Sequence, residues 1–177
     1  MMLLFVSSEA FFFLALIISY VYYSHPGGKL SDSAKFLDIR KTGVFTIFLL
    51  LSSVTIAIAE SRLRKEKRRA LVIWMLITVL LGAVFIIGQG VEYSHLAHLN
   101  LTISKNIFGS AFFTLTGFHG LHVILGLIVL LVITILILSG KFKPVETEVL
   151  ETAAIYWHFV DIVWIVVFSV VYIGAII

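Results

Sequence analysis

Thr116–Gly126 reads TGFHGLHVILG and lies inside the longest apolar run of the chain, from about Asn106 to Leu138. That run exceeds the roughly 20 residues a helix needs to cross bilayer hydrocarbon, so it reads as a tilted or projecting membrane helix. His119 and His122 stand three residues apart. On a helix they share one face with Gly126, where a neighbouring helix can come close. Tyr156–Trp164, YWHFVDIVW, answers with His158 and Asp161, again three apart on one face. Imidazoles and carboxylates at this depth are costly and face partners rather than lipid.

Composition agrees with that reading along the whole chain. Of 177 residues 60% are hydrophobic and 13% charged, about half the charged share of a soluble domain. Mean hydropathy is +1.11. The chain has no cysteine, which excludes disulfides, thiolate metal sites and covalent c-type haem attachment. Its formal charge of +3 sits on loop residues and gives nucleic-acid binding no footing.

Hydropathy divides the chain into five spans, about 2–23, 40–59, 71–93, 106–138 and 153–177, which form one all-α membrane domain. The first has no basic n-region and no small-residue cleavage site, so it reads as a mature span rather than a signal peptide. Tyr20, Tyr22 and Tyr23 mark its exit from the bilayer, and Asn106 is placed to cap the fourth span. Ser24–Ile39, Ser94–Lys105 with His95 and His98, and the acidic Ser139–Thr152 read as loops. The cluster Arg62, Arg64, Lys65, Lys67, Arg68 and Arg69 follows the second span. With Lys141 and Lys143 it places eight basic residues on one side against five on the other. The basic side is cytoplasmic by this asymmetry, with the N-terminus inside and the C-terminus outside.

The intramembrane polar residues allow several chemistries. Histidines on two helices could hold a b-type haem, but nothing in the sequence marks a flat pocket or a cationic edge for propionates. His119, His122, His158 and Asp161 have donor types that suit zinc or iron, yet their spacing selects no metal. The favoured reading is a buried polar network of Glu9, His119, His122, His158 and Asp161 bonding between helices, at about 0.6–2 kcal/mol per contact. An unpaired Asp161 would cost roughly 2.5–3.5 kcal/mol, and His158, one turn away, is its nearest candidate partner. Glu9 lies roughly 10 Å inside the first span, where burial disfavours the charged form. It reads as a neutral acid bonded across helices, or as a proton-relay group. Gln89 and Glu92 share a face near the outer end of the third span and read as structural or lipid-headgroup contacts. Trp157 reads as an interface or packing aromatic, and Arg62 and Arg64 as topology determinants able to hold lipid phosphates.

The paired motifs resemble subunit three of the haem–copper terminal oxidases, the cytochrome c oxidase family. Ser8-Glu9 before Phe11-Phe12-Phe13, Leu51–Thr55, Gln89–Tyr93 and Phe108-Gly109-Ser110 are similar to that family in order and spacing. The resemblance implies a subunit without redox centres or catalytic residues, set in a respiratory, bacterial plasma membrane. It implies a chain that packs on catalytic subunit I and other oxidase subunits and holds phospholipid in a cleft, with haems and copper in its partners. Longer members have two further helices before the Ser-Glu pair, and a five-helix form also exists. The contrasting reading is a small haem- or quinone-binding membrane electron carrier.

Topology is open to direct measurement, because no native cysteine competes for label. Lys67→Cys and Lys143→Cys are expected to react only from the cytoplasmic side and Lys35→Cys only from the other. Labelling of Lys35→Cys and Lys67→Cys from the same side contradicts five spans.

Overall fold

The computed structural model describes residues 2–24, 37–99, 107–139 and 147–174. Five helices account for nearly all of them: α1 Met2–Ser24, α2 Ile39–Arg64, α3 Arg68–His98, α4 Ile107–Leu138 and α5 Thr147–Phe168. A π-helical turn, Ser169–Ile173, continues α5. All five are long and apolar enough to cross a membrane, so the chain is an integral membrane protein. The helices reach beyond the hydropathy minima. His95 and His98 belong to the last turns of α3, not to a loop, and α5 starts at Thr147. The Asn106 cap and most of the three expected loops lie outside the described residues.

Helices α2, α3, α4 and α5 close a four-membered ring in which each packs on the next, and α1 lies outside against α4 and α5. Local chemistry sets the start and end of α2. Asp38 caps its N-terminus through the Lys41 amide at 3.2 Å, and the Lys41 ammonium lies 3.0 Å away. The hydrogen bonds from Lys41 hold the partly exposed Asp38 carboxyl below its usual range. At the other end the Lys67 amide donates to the Arg62 carbonyl and the Glu66 amide to the Leu63 carbonyl. This paired pattern needs a left-handed residue at Glu66, whose φ is 54°. The turn sends the chain straight back as α3.

The ring closes on two tryptophans of α5, seven residues apart on one stripe. Trp157 has no exposed surface. Its indole lies between Gly82 of α3 and Gly126 of α4, where a Cβ on either glycine would stand 2.9 Å from the ring. Its Nε1 donates to Ser52 Oγ of α2 at 2.9 Å. Trp164 Nε1 donates to Thr46 Oγ1 of α2 at 2.9 Å, while its ring meets Phe85 of α3 edge-on and stacks on His119 of α4. Both hydroxyls send their own hydrogen back to their helix, Ser52 to Leu49 O and Thr46 to Thr42 O. That leaves a lone pair for the indole. Of the two roles open to Trp157, interface or packing, it takes the second at the centre of the bundle, because glycine on two neighbours gives its ring room.

Trp157→Ala is expected to destabilise the bundle by about 3–5 kcal/mol. Trp157→Phe is expected to cost far less than Trp157→Ala, since the ring is kept and Ser52 stays bonded to Leu49. Reversible unfolding of the chain in mixed micelles measures both. A Trp157→Ala loss below about 0.5 kcal/mol contradicts this placement.

Candidate functional site

The ionisable groups within the spans fall into separate clusters between helices. The first joins α1 to α4. His122 Nδ1 lies 2.7 Å from the Phe118 carbonyl, which can only accept, so Nδ1 carries a hydrogen. His122 Nε2 faces Glu9 Oε2 at 3.0 Å. The pair therefore holds its proton either on the carboxyl or on Nε2, and is bonded in both cases. Phe13 of α1 lies edge-on to the ring at 5.0 Å, and Tyr156 of α5 donates to the His122 carbonyl at 3.1 Å. Glu9 thus has an imidazole partner on another helix, which its own helix could not show.

His119 points elsewhere although it shares a face with His122. It is fully buried, and neither ring nitrogen has a hydrogen-bond partner among the described residues. Aromatic rings surround it: Trp164 stacks at 4.7 Å, and Phe85 and Phe13 present edges at 6.0 and 6.3 Å. It serves here as a packing ring rather than a bonded imidazole.

The third cluster joins α5 to α2 through Ser53. The Ser53 hydroxyl lies 2.9 Å from His158 Nδ1 and forms a short hydrogen bond to Asp161 Oδ2. Asp161 is 2% exposed, and its Oδ1 is buried with no partner. His158 was the expected partner of Asp161; the structure instead places a serine of another helix between them. The signal for this lay in the hydroxyl residues Thr42, Thr46, Ser52, Ser53 and Thr55, which punctuate an otherwise apolar α2.

Gln89 and Glu92 form a fourth group, inside the protein rather than toward lipid headgroups. Gln89 Nε2 donates to the Thr116 carbonyl of α4 at 2.7 Å and to Tyr93 OH at 3.1 Å. Thr116 Oγ1 gives its hydrogen to Phe112 O, so at 2.7 Å Tyr93 OH donates to Thr116. Glu92 Oε2 accepts from Thr42 of α2 at 2.9 Å and from Tyr172, in the π turn, at 2.8 Å. Arg64 pairs with Glu151 at 3.1 Å on the surface, and Arg68 donates to the Ile137 carbonyl of α4. Arg62 is partly buried, with its Nε unpartnered among the described residues.

Among the described residues no three His, Asp or Glu side chains are placed to hold a metal ion. An open groove of about 550 Å³ runs between α1, α4 and α5, lined by Met2, Phe5, Leu125, Val129, Val149 and Tyr156. Its walls are almost entirely apolar, with Glu148 and Thr152 at one end.

Known proteins resemble this sequence along nearly its whole length. A family profile described as cytochrome c oxidase subunit III matches residues 1–176. The chain is 35% identical over 173 residues to cytochrome c oxidase subunit 3 of Corynebacterium diphtheriae, covering 96% of this chain and 84% of that one. It is 37% identical over 173 residues to the Synechocystis protein of the same name, covering 96% and 72%. A probable quinol oxidase subunit 3 of Staphylococcus saprophyticus is 34% identical over 171 residues, covering 95% and 84%. With five membrane-length helices and a match running almost end to end, this chain belongs to the cytochrome c oxidase subunit III family.

Proposed function

We infer that this chain is a non-catalytic, lipid-holding subunit of a proton-pumping haem–copper oxidase. It packs on catalytic subunit I, which with the other oxidase subunits carries the haems and copper that reduce oxygen. The complex sits in a bacterial plasma membrane as part of aerobic electron transport. The N-terminus and the basic α2–α3 turn face the cytoplasm, and the C-terminus faces the opposite side.

One observation carries the reading: the intramembrane imidazoles are engaged within the chain. His122 is bonded at both nitrogens, His158 is held by Ser53 through Nδ1, and His119 is enclosed by aromatic rings. A haem ligand needs an imidazole nitrogen directed into an open, flat pocket, and the contacts of these imidazoles lie with the chain's own carbonyls, side chains and rings. The apolar groove between α1, α4 and α5 supports the lipid role, since its walls suit an acyl chain. The basic turn would attract the phosphate of an anionic headgroup.

Breaking one member of a buried bonded pair leaves the other unpaired and is typically worse than removing both. Asp161→Asn and His158→Leu are therefore expected to lower the amount of this chain retained per purified complex. The haem spectrum and the iron, copper and zinc per complex should stay at wild-type values where the chain is present. The double substitution should recover part of the loss. Loss of one metal equivalent in the His158→Leu complex would make His158 a ligand and end this reading.

A further inference from the structure

The α2–α5 contact carries a line of polar groups that helix packing alone does not require. Ser53, Glu60 and Arg64 lie seven and four residues apart on α2, and so on one face. On α5 Glu151, His158 and Asp161 are spaced by seven and three. The two stripes meet. Arg64 bonds Glu151 at the α2–α3 turn, Glu60 lies within electrostatic range of His158, and Ser53 joins His158 to Asp161. Exposure falls along the line. Arg64 is exposed, Glu151, Glu60 and His158 are partly buried, and Asp161 is buried. Ser53 lies roughly 15 Å along α2 from its end at the turn.

Ser53 also differs from the hydroxyls around it. Ser52 and Thr46 give their hydrogen to a carbonyl of their own helix, and Thr55 and Thr78 divide theirs between such carbonyls and a 2.8 Å bond to each other. Among the described residues Ser53 Oγ makes no such bond, and its contacts are a histidine nitrogen and a carboxylate oxygen. A serine hydroxyl has one hydrogen and two lone pairs, and both neighbours can give or take a proton. Two arrangements therefore satisfy the same geometry. In one, Asp161 Oδ2–H donates to Ser53 Oγ, and Ser53 O–H donates to an unprotonated Nδ1 of a neutral His158. In the other, Ser53 O–H donates to the Asp161 carboxylate, and Nδ1–H of the imidazolium donates to Ser53. The first becomes the second when the Asp161 O–H bond breaks, a new O–H forms at Ser53, and the original Ser53 hydrogen moves to Nδ1. No electron is transferred, and the net charge of the three groups is unchanged.

We propose that Ser53, His158 and Asp161 form one proton-binding site, in which the serine hydroxyl relays a proton between the buried carboxyl and a histidine reached from the α2–α3 turn. The site is charged and discharged through His158, with Glu60, Arg64 and Glu151 around its approach. On the other adjoining helices Glu9 of α1 and His122 of α4 bond each other, Glu92 of α3 is held by Thr42 and Tyr172, and His119 of α4 is enclosed by aromatic rings. This inference stands apart from the oxidase reading, because its readout is a carboxyl of this chain alone.

Infrared spectroscopy of the full chain in lipid nanodiscs tests it. The protonated-carboxyl band of Asp161 is identified by its loss in Asp161→Asn, and its shift is followed on transfer to deuterated buffer. The wild-type band should exchange at least tenfold faster than the same band in Ser53→Ala or in His158→Gln, whose amide cannot take up a proton. Ser53→Thr, which keeps the hydroxyl, should restore the rate. Should Ser53→Ala fail to fold, His158→Gln alone decides. Unchanged exchange in either variant that folds overturns the relay. So does a wild-type carboxyl that never exchanges, or the absence of an Asp161 carboxyl band between about pH 5 and 9.

Discussion

An indole N–H buried in hydrocarbon has no water to donate to, and this bundle is assembled around the answer given to two of them. Trp157 and Trp164 each reach from α5 to a hydroxyl of α2, while their rings fill the space offered by α3 and α4. Each tryptophan thereby touches every other member of the four-helix ring. Apolar contact alone gives little preference for one helix partner over another in a membrane, because lipid tails are as apolar as leucine. Close packing at Gly82 and Gly126 and directed bonds to Ser52 and Thr46 supply that preference. The rotation of α5 they impose carries Asp161 and His158 to Ser53.

Helix α1 is joined differently. It buries only Phe13, Tyr20 and Ser24, and the Glu9–His122 pair ties it to the bundle. The loose packing leaves the groove beside α4 and α5 open and apolar, in keeping with a helix that shares its surface with lipid or a partner subunit. The family assignment and the internal bonding lead to the same place. The polar groups described within the spans are directed inward at the chain's own helices, as suits a subunit of the oxidase complex.

The five helices were legible because apolar length alone marks them, and the family because the motifs around His119, His122, His158 and Asp161 are long and ordered. The partners of those residues were not. A sequence displays neighbours on one helix, so His158 was the natural companion for Asp161, and Glu9 could be given no named partner. The actual companions, Ser53 and His122, stand on other helices and depend on how α5 and α1 are rotated. His119 misled for the same reason: the three-residue spacing that unites it with His122 says nothing of the aromatic rings that enclose it. Trp157 read equally as an interface or a packing residue, because aromatic residues commonly mark the membrane boundary and also fill cores. Only the two facing glycines, remote in sequence, reveal a central place for it.

If the spans' polar groups serve to join helices, the chain purified by itself should be optically silent in the visible region. The direct measurement is the absorption spectrum of this chain, expressed without its partners in cells supplied with haem precursor and purified in mild detergent. Protein absorbance with no Soret band is the expected result. A stoichiometric Soret band that disappears in His122→Leu would contradict it, for it would show an imidazole free to bind iron.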